Sequence, residues 1–166
     1  MSTVTVTRLL DAPAEHIWRV MTDLTERITW LSTVDEVRVL TPGRFGLGTI
    51  WCESRTMPDG TCVTEEFHVD DCAAPHRFVA SSRGDGADYR MTYTLTPVDA
   101  GRRRGRTAVT VVHDGAPNGP GGRFLAFVLG GLAARTVEGA LRQDLADLAL
   151  AVATPVPANG DPAAAA

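Results

Sequence analysis

Apolar and polar positions alternate along most of the first two-thirds of the chain, and the alternation gives way twice to helical spacing. Val4, Val6 and Leu10 sit in a β-like opening strand. Pro13 then suits the first position of a helix, with Glu15 in the first turn near the positive end of the dipole. Ile17, Val20, Met21 and Leu24 follow i, i+3, i+4, i+7 spacing, so this helix carries one buried stripe. A short second helix is expected over 24–31, with Leu24, Ile28 and Leu31 inward, and Trp18 and Trp30 as core or cavity wall. Six strands are predicted next, at 34–40, 47–56, 61–69, 77–83, 88–96 and 106–113. Pro42-Gly43, Pro58-Asp59-Gly60, Ala74-Pro75, Gly84-Asp85-Gly86 and Asp99-Ala100-Gly101 separate them. Separators this short join antiparallel neighbours. A long helix is predicted over 122–153. Val137, Leu141, Leu145, Leu148 and Val152 form its stripe, and its first half is apolar nearly all round, so a ligand cavity, a partner or a second subunit must cover it. The tail, 154–166, combines prolines, Asn-Gly-Asp and alanines, and is expected to be disordered.

The hairpin around Pro58-Asp59-Gly60 sets a register. A type I turn followed by a left-handed glycine pairs Met57 with Thr61. Arg55 then faces Val63, Glu53 faces Glu65, Trp51 faces Phe67 and Thr49 faces Val69. Trp51, Val63, Phe67 and Val69 share one face under this pairing, as a buried face requires. Two carboxylates also fall opposite each other there. Such a pair is destabilising unless it shares a proton or a cation, and Arg55 is the nearest cation on that face. A polar cluster on an apolar face suggests a lined pocket.

Composition narrows the picture. The 166 residues, 44% of them apolar, fit one domain with a full core. Sixteen basic and twenty acidic residues leave a net charge of −4, which argues against nucleic acid or an anionic membrane as the main partner. Arg102, Arg103, Arg104 and Arg106 are a dense basic run at a hairpin tip, where an anionic ligand or an acidic carrier protein is the alternative to plain solvation. Cys52, Cys62 and Cys72 match neither a zinc motif nor a disulfide framework, which favours the cytoplasm. There is no signal-peptide pattern, membrane span, metal spacing or nucleotide loop, and no cofactor is expected.

With these elements in place, the sequence resembles the START-like (SRPBCC) superfamily, in its polyketide cyclase/dehydrase-like branch. The matching pieces are Ala12-Pro13-Ala14-Glu15-His16-Ile17-Trp18 with Asp23, Trp30-Leu31-Ser32-Thr33-Val34, Gly48-Thr49-x-Trp51-x-Glu53-x-Arg55, Glu65-Glu66, Tyr93-Thr94-Leu95 and the last helix. The resemblance covers residues 3 to about 152, within one domain expected over 1–153. It implies an α+β helix-grip fold: a curved seven-stranded antiparallel sheet around a long C-terminal helix, with two short helices between strands 1 and 2. It also implies a cavity between sheet and helix. Extending the alternation gives a lining of Trp51, Glu53, Arg55, Glu65, Phe67, Tyr89, Met91, Tyr93, Val109, Val111 and His113, closed from the helix by Phe124, Phe127 and Val128.

A cyclase acting on a poly-β-keto chain must take an acidic α-proton, stabilise an enolate and protonate a leaving hydroxyl. Glu53 or Glu65 is the candidate base, Arg55 the oxyanion holder, and Tyr93, Tyr89 or His113 the proton donor. A structural ion network is the alternative reading of the charged residues, and plain pocket wall that of the tyrosines. Three function classes follow: a cyclase/dehydrase-type enzyme for an aromatic or polyketide-type substrate, a non-catalytic carrier of a lipid or other apolar molecule, and a protein-interaction module. The candidate partners beside that hydrophobic small molecule are a second copy of the chain and an acyl-carrier protein.

Overall fold

The computed structural model describes residues 2–56, 60–83, 87–118 and 120–153, with the helical backbone alone over 120–134. Seven strands form one sheet: β1 (Ser2–Leu10), β2 (Glu36–Val39), β3 (Ile50–Thr56), β4 (Cys62–Ala73), β5 (Arg77–Arg83), β6 (Ala87–Val98) and β7 (Arg106–Pro117). All neighbours are antiparallel, in the order β1-β7-β6-β5-β4-β3-β2. Helices α1 (Ala14–Thr22) and α2 (Arg27–Trp30) carry the chain from one sheet edge to the other, and α3 (Pro120–Ala153) closes the fold. This is the expected α+β helix-grip architecture.

Alternation sorts the strands onto two faces. Leu95, Val109 and Val111 are almost fully buried and share a core with Leu145, Leu148 and Val152 of α3. Each such side chain contributes roughly 1.5–3 kcal/mol by leaving water. On the other face Arg90 and Thr96 are exposed. A bulge in β4 between Val69 and Asp71 shifts the pairing with β5 and adds the local bend that a wrapped sheet needs. Gly60 has φ +84°, the left-handed geometry predicted for the β3–β4 turn, while Met57, Pro58 and Asp59 lie outside the described residues.

Several expectations are corrected. The second helix is one turn, not 24–31, so Ile28 is 49% exposed and Arg27 faces inward instead. Pro13 is the cap residue before α1 and not its first helical position. β2 and β3 are shorter than predicted, leaving Leu47 on the surface, and β4 and β7 run longer, so His113 is mid-strand. The segment between β2 and β3 folds back to insert Phe45 among Trp18, Trp51 and Phe78. The side chains of the apolar first half of α3, and the tail expected to be disordered, 154–166, lie outside the described residues. The arginine run sits on the β6–β7 connection, with Arg106 paired to Asp11 at 3.3 Å.

Candidate ligand cavity

The predicted register holds: Glu53 pairs with Glu65, Trp51 with Phe67 and Arg55 with Val63. These side chains face α3 across a cavity of about 330 Å³. Two stacked ring pairs supply its apolar walls, Trp51 on Phe67 at 5.2 Å and Phe78 on Tyr93 at 4.5 Å between centroids. Met21 and Leu24 line it from α1 and the segment after it, and Val137, Ala140 and Leu141 from α3. Tyr89, Met91 and His113 also line it, as expected. Val109 and Val111 do not line it. Val109 belongs to the core under α3, and Val111 touches only a neighbouring void of about 20 Å³ beside Leu145 and Leu148. Phe124, Phe127 and Val128 lie outside the residues whose side chains are described.

One side of the cavity is a balanced ion cluster. Arg27 Nε lies 2.6 Å from Glu53 Oε1, a charge contact without hydrogen-bond alignment. Trp51 Nε1 donates to the same oxygen at 2.9 Å, and Arg55 Nη2 donates to Glu53 Oε2 at 3.1 Å. Arg55 Nη2 also lies 3.5 Å from Asp144 Oδ2, while its Nη1 donates to Thr33 Oγ1 at 2.6 Å. Thr33 Oγ1 in turn donates to Asp144 Oδ1 at 2.7 Å. Two guanidinium groups thus meet two carboxylates, drawn from α2, β3 and α3. Asp147 tethers the same helix by accepting from Ser32 N and Oγ.

Glu65 stands outside this cluster and accepts no hydrogen bond among the described residues. The two facing carboxylates are consequently driven apart. Burial opposes ionisation of Glu53, but Arg27, then Arg55, and the indole hydrogen bond outweigh it and hold the carboxyl below its usual range. Burial raises Glu65, Arg55 only partly offsets this, and Glu53 adds to the rise. Tyr89 is raised by burial and by Glu65, and its ring lies 5.3 Å from that of His113, which burial lowers. Both are neutral near pH 7. Tyr93 is raised by burial, and its hydroxyl donates to Met91 Sδ at 3.6 Å. The cavity therefore has a charge-clamped side, around Glu53, and a side lined by Glu65, Tyr89 and His113 that lacks such a clamp.

The pH dependence of stability should carry opposite signs at the two glutamates. The lowered Glu53 contributes stability above the ordinary carboxyl pKa, and that contribution is lost as pH falls through its lowered value. The raised Glu65 contributes below the ordinary value, and that contribution is lost as pH rises through its raised value. In urea unfolding from pH 3 to 8, Glu53→Gln should lose stability relative to wild type at neutral pH and converge with it in acid. Glu65→Gln should match wild type in acid and equal or exceed it at neutral pH. Equal signs for the two variants would remove the asymmetry.

Arg27, Asp144, Thr33 and Phe45 were not anticipated from the sequence. Of these, Asp144 had a signal: it falls between Leu141 and Leu145 on the α3 stripe. Among the described residues no cluster of His, Cys, Asp or Glu is arranged to hold a metal ion, and no helix is long and apolar enough to cross a membrane.

A curved antiparallel sheet gripping one long helix over a cavity with both ionic and aromatic walls defines a START-like helix-grip protein. The chain belongs to the family described as polyketide cyclase / dehydrase and lipid transport, whose model matches residues 1–153. No curated protein matches the sequence. Among solved structures, it is similar to the Zhui aromatase/cyclase from Streptomyces sp. R1128, with 19% identity over 95% of this chain and 97% of that one, at a TM-score of 0.75. TTHA0849 from Thermus thermophilus is 22% identical over 91% of this chain and 97% of its own, at 0.69. The di-domain ARO/CYC BexL from the BE-7585A biosynthetic pathway is 21% identical over 93% of this chain and 51% of its own, at 0.67. At such identities the likeness is one of fold.

Proposed function

We propose that the protein is a cyclase/dehydrase-type enzyme that holds an aromatic or poly-β-keto substrate in the cavity. The observation that carries this reading is the split between the facing carboxylates. Glu53 is neutralised by Arg27 and Arg55, while Glu65 is unpartnered among the described residues and pushed toward working pH. Titratable groups driven apart in one site mark acid and base assignments. In this scheme Glu65 takes a proton from the carbon between two carbonyls. The resulting enolate attacks a second carbonyl carbon, forming the ring bond, and the new alkoxide takes the proton back from Glu65. Loss of a second α-proton to Glu65 expels hydroxide, which leaves as water once Tyr89, His113 or the protonated Glu65 supplies its proton. The roles expected from the sequence shift accordingly. Glu53, Arg55 and Tyr93 become the framework, because both terminal guanidinium nitrogens of Arg55, Nη1 and Nη2, are already engaged. The family and the fold shared with aromatase/cyclases support the substrate class. Cys52, Cys62 and Cys72 are free thiols, in keeping with a reducing, cytoplasmic setting.

A carrier of a lipid or other apolar molecule is the second reading. It is favoured by the ion cluster satisfying itself without a ligand. Glu65→Gln separates the two. For an enzyme, turnover of a poly-β-keto mimic should fall by roughly 10²-fold or more with affinity held within a few-fold. A protein with no turnover on any such mimic, whose Glu65→Gln variant changes affinity alone, is a carrier.

A further inference from the structure

We infer that the cavity selects its ligand by charge: it takes a head group that donates hydrogen bonds, neutral or cationic, and excludes anions. This rests on the cavity being a small-molecule site, and it stands whether or not chemistry follows binding. Among the described residues lining the cavity, two guanidinium groups face three carboxylates, those of Glu53, Glu65 and Asp144. Arg27 is held against Glu53 at 2.6 Å. Arg55 is divided among Glu53, Asp144 and Thr33. An incoming carboxylate therefore finds no free cation there. To reach a guanidinium it must displace Glu53, which is only 2% exposed, and leave it buried and unpaired, or displace the partly buried Asp144 from Arg55. If it stays elsewhere in the cavity, it loses its water and meets the Glu65 carboxyl with no cation left to pair it.

A donor meets the opposite situation. Glu65 brings acceptor oxygens that no described residue occupies. The Trp51–Phe67 stack on the same face offers rings to an attached apolar body and ring faces to a cation. Tyr89 and His113 complete that side of the cavity with groups that can donate or accept without carrying charge. The arginines of the hairpin tip do not alter this balance. The tip lies beyond Val98 and Arg106, whereas Tyr89 and His113 lie toward the other end of the same two strands. The nine residue-to-residue steps of strand from Tyr89 to Val98 span about 30 Å.

The test uses three probes that share one ring system at pH 7: 2-naphthol, which is neutral, 2-naphthylmethylamine, which is cationic, and 2-naphthoate. Isothermal titration of the full chain should rank naphthoate at least about tenfold weaker than both others, the factor that 1.4 kcal/mol represents. Glu65→Gln should bring amine and naphthoate to within about threefold of each other. Asp144→Asn, which returns part of the Arg55 charge to the cavity, should strengthen naphthoate binding. Naphthoate binding as tightly as the naphthol overturns the inference, as does a gap between amine and naphthoate unchanged in Glu65→Gln. If none of the three binds, the inference and the small-molecule reading fail together. If discrimination is seen without any turnover, only the enzyme reading fails.

Discussion

Arg27→Ala should destabilise the protein by about 3–5 kcal/mol in urea or guanidinium unfolding, the usual cost of removing one partner from a buried ion pair. Both partners are out of water: Arg27 is 9% and Glu53 2% exposed. In wild type, Glu53 is neutralised from two sides. Without Arg27 it depends on Arg55, which is also committed to Asp144 and Thr33. The variant also loses the guanidinium placed 5.7 Å from the centroid of the Trp30 ring. Part of the loss should return in the double variant Arg27→Met, Glu53→Leu, because removing both charges leaves neither of the pair buried alone and restores apolar volume, while the Trp51 indole N–H loses its acceptor. A loss under about 1 kcal/mol for Arg27→Ala would mean that water already screens the cluster.

Phe78→Ala should cost a similar 3–5 kcal/mol, in the range for truncating a buried aromatic ring. Phe78 is 3% exposed and touches three other rings: Tyr93 at 4.5 Å, Phe45 at 5.0 Å and Trp18 at 5.8 Å. These rings come from β6, from the segment before β3 and from α1, so the truncation loosens three elements together. Phe78 also lines the cavity. The variant should therefore bind bulkier aromatic probes relatively better than wild type, even as it becomes less stable. A loss below about 1.5 kcal/mol with an unchanged probe preference would show that the surrounding rings collapse into the space.

Which face each strand residue occupies was legible in the sequence, because strand alternation has a period of two and the Pro58-Asp59-Gly60 turn sets the phase. Glu53 opposite Glu65 follows from those two facts alone. Arg27 was hidden because a one-turn helix has no periodicity to read. Leu24, Ile28 and Leu31 match a helix stripe only if the helix runs on, and it does not, so Ile28 turns out and Arg27 turns in. Val109 and Val111 were placed on the correct face but under the wrong neighbour. Alternation tells which way a side chain points, not whether a helix or a void lies above it. Asp144 was passed over for a related reason: a charge beside a helical stripe looks like its solvated border until a partly buried arginine is found across from it.

The pairing of β1 with β7 has a consequence for assembly. Ser2 pairs with Gly115 and Leu10 with Thr107, so the first strand finds its place only after about a hundred further residues have been made. The strands from β2 to β7 can form hairpin by hairpin as the chain lengthens. β1 must wait with both edges open, and its alternating valines make it an apt partner for any other strand in the meantime. Closing so long a loop comes late and slowly. The same strand that completes the sheet in the native molecule is therefore, during synthesis, open to pairing with a neighbour.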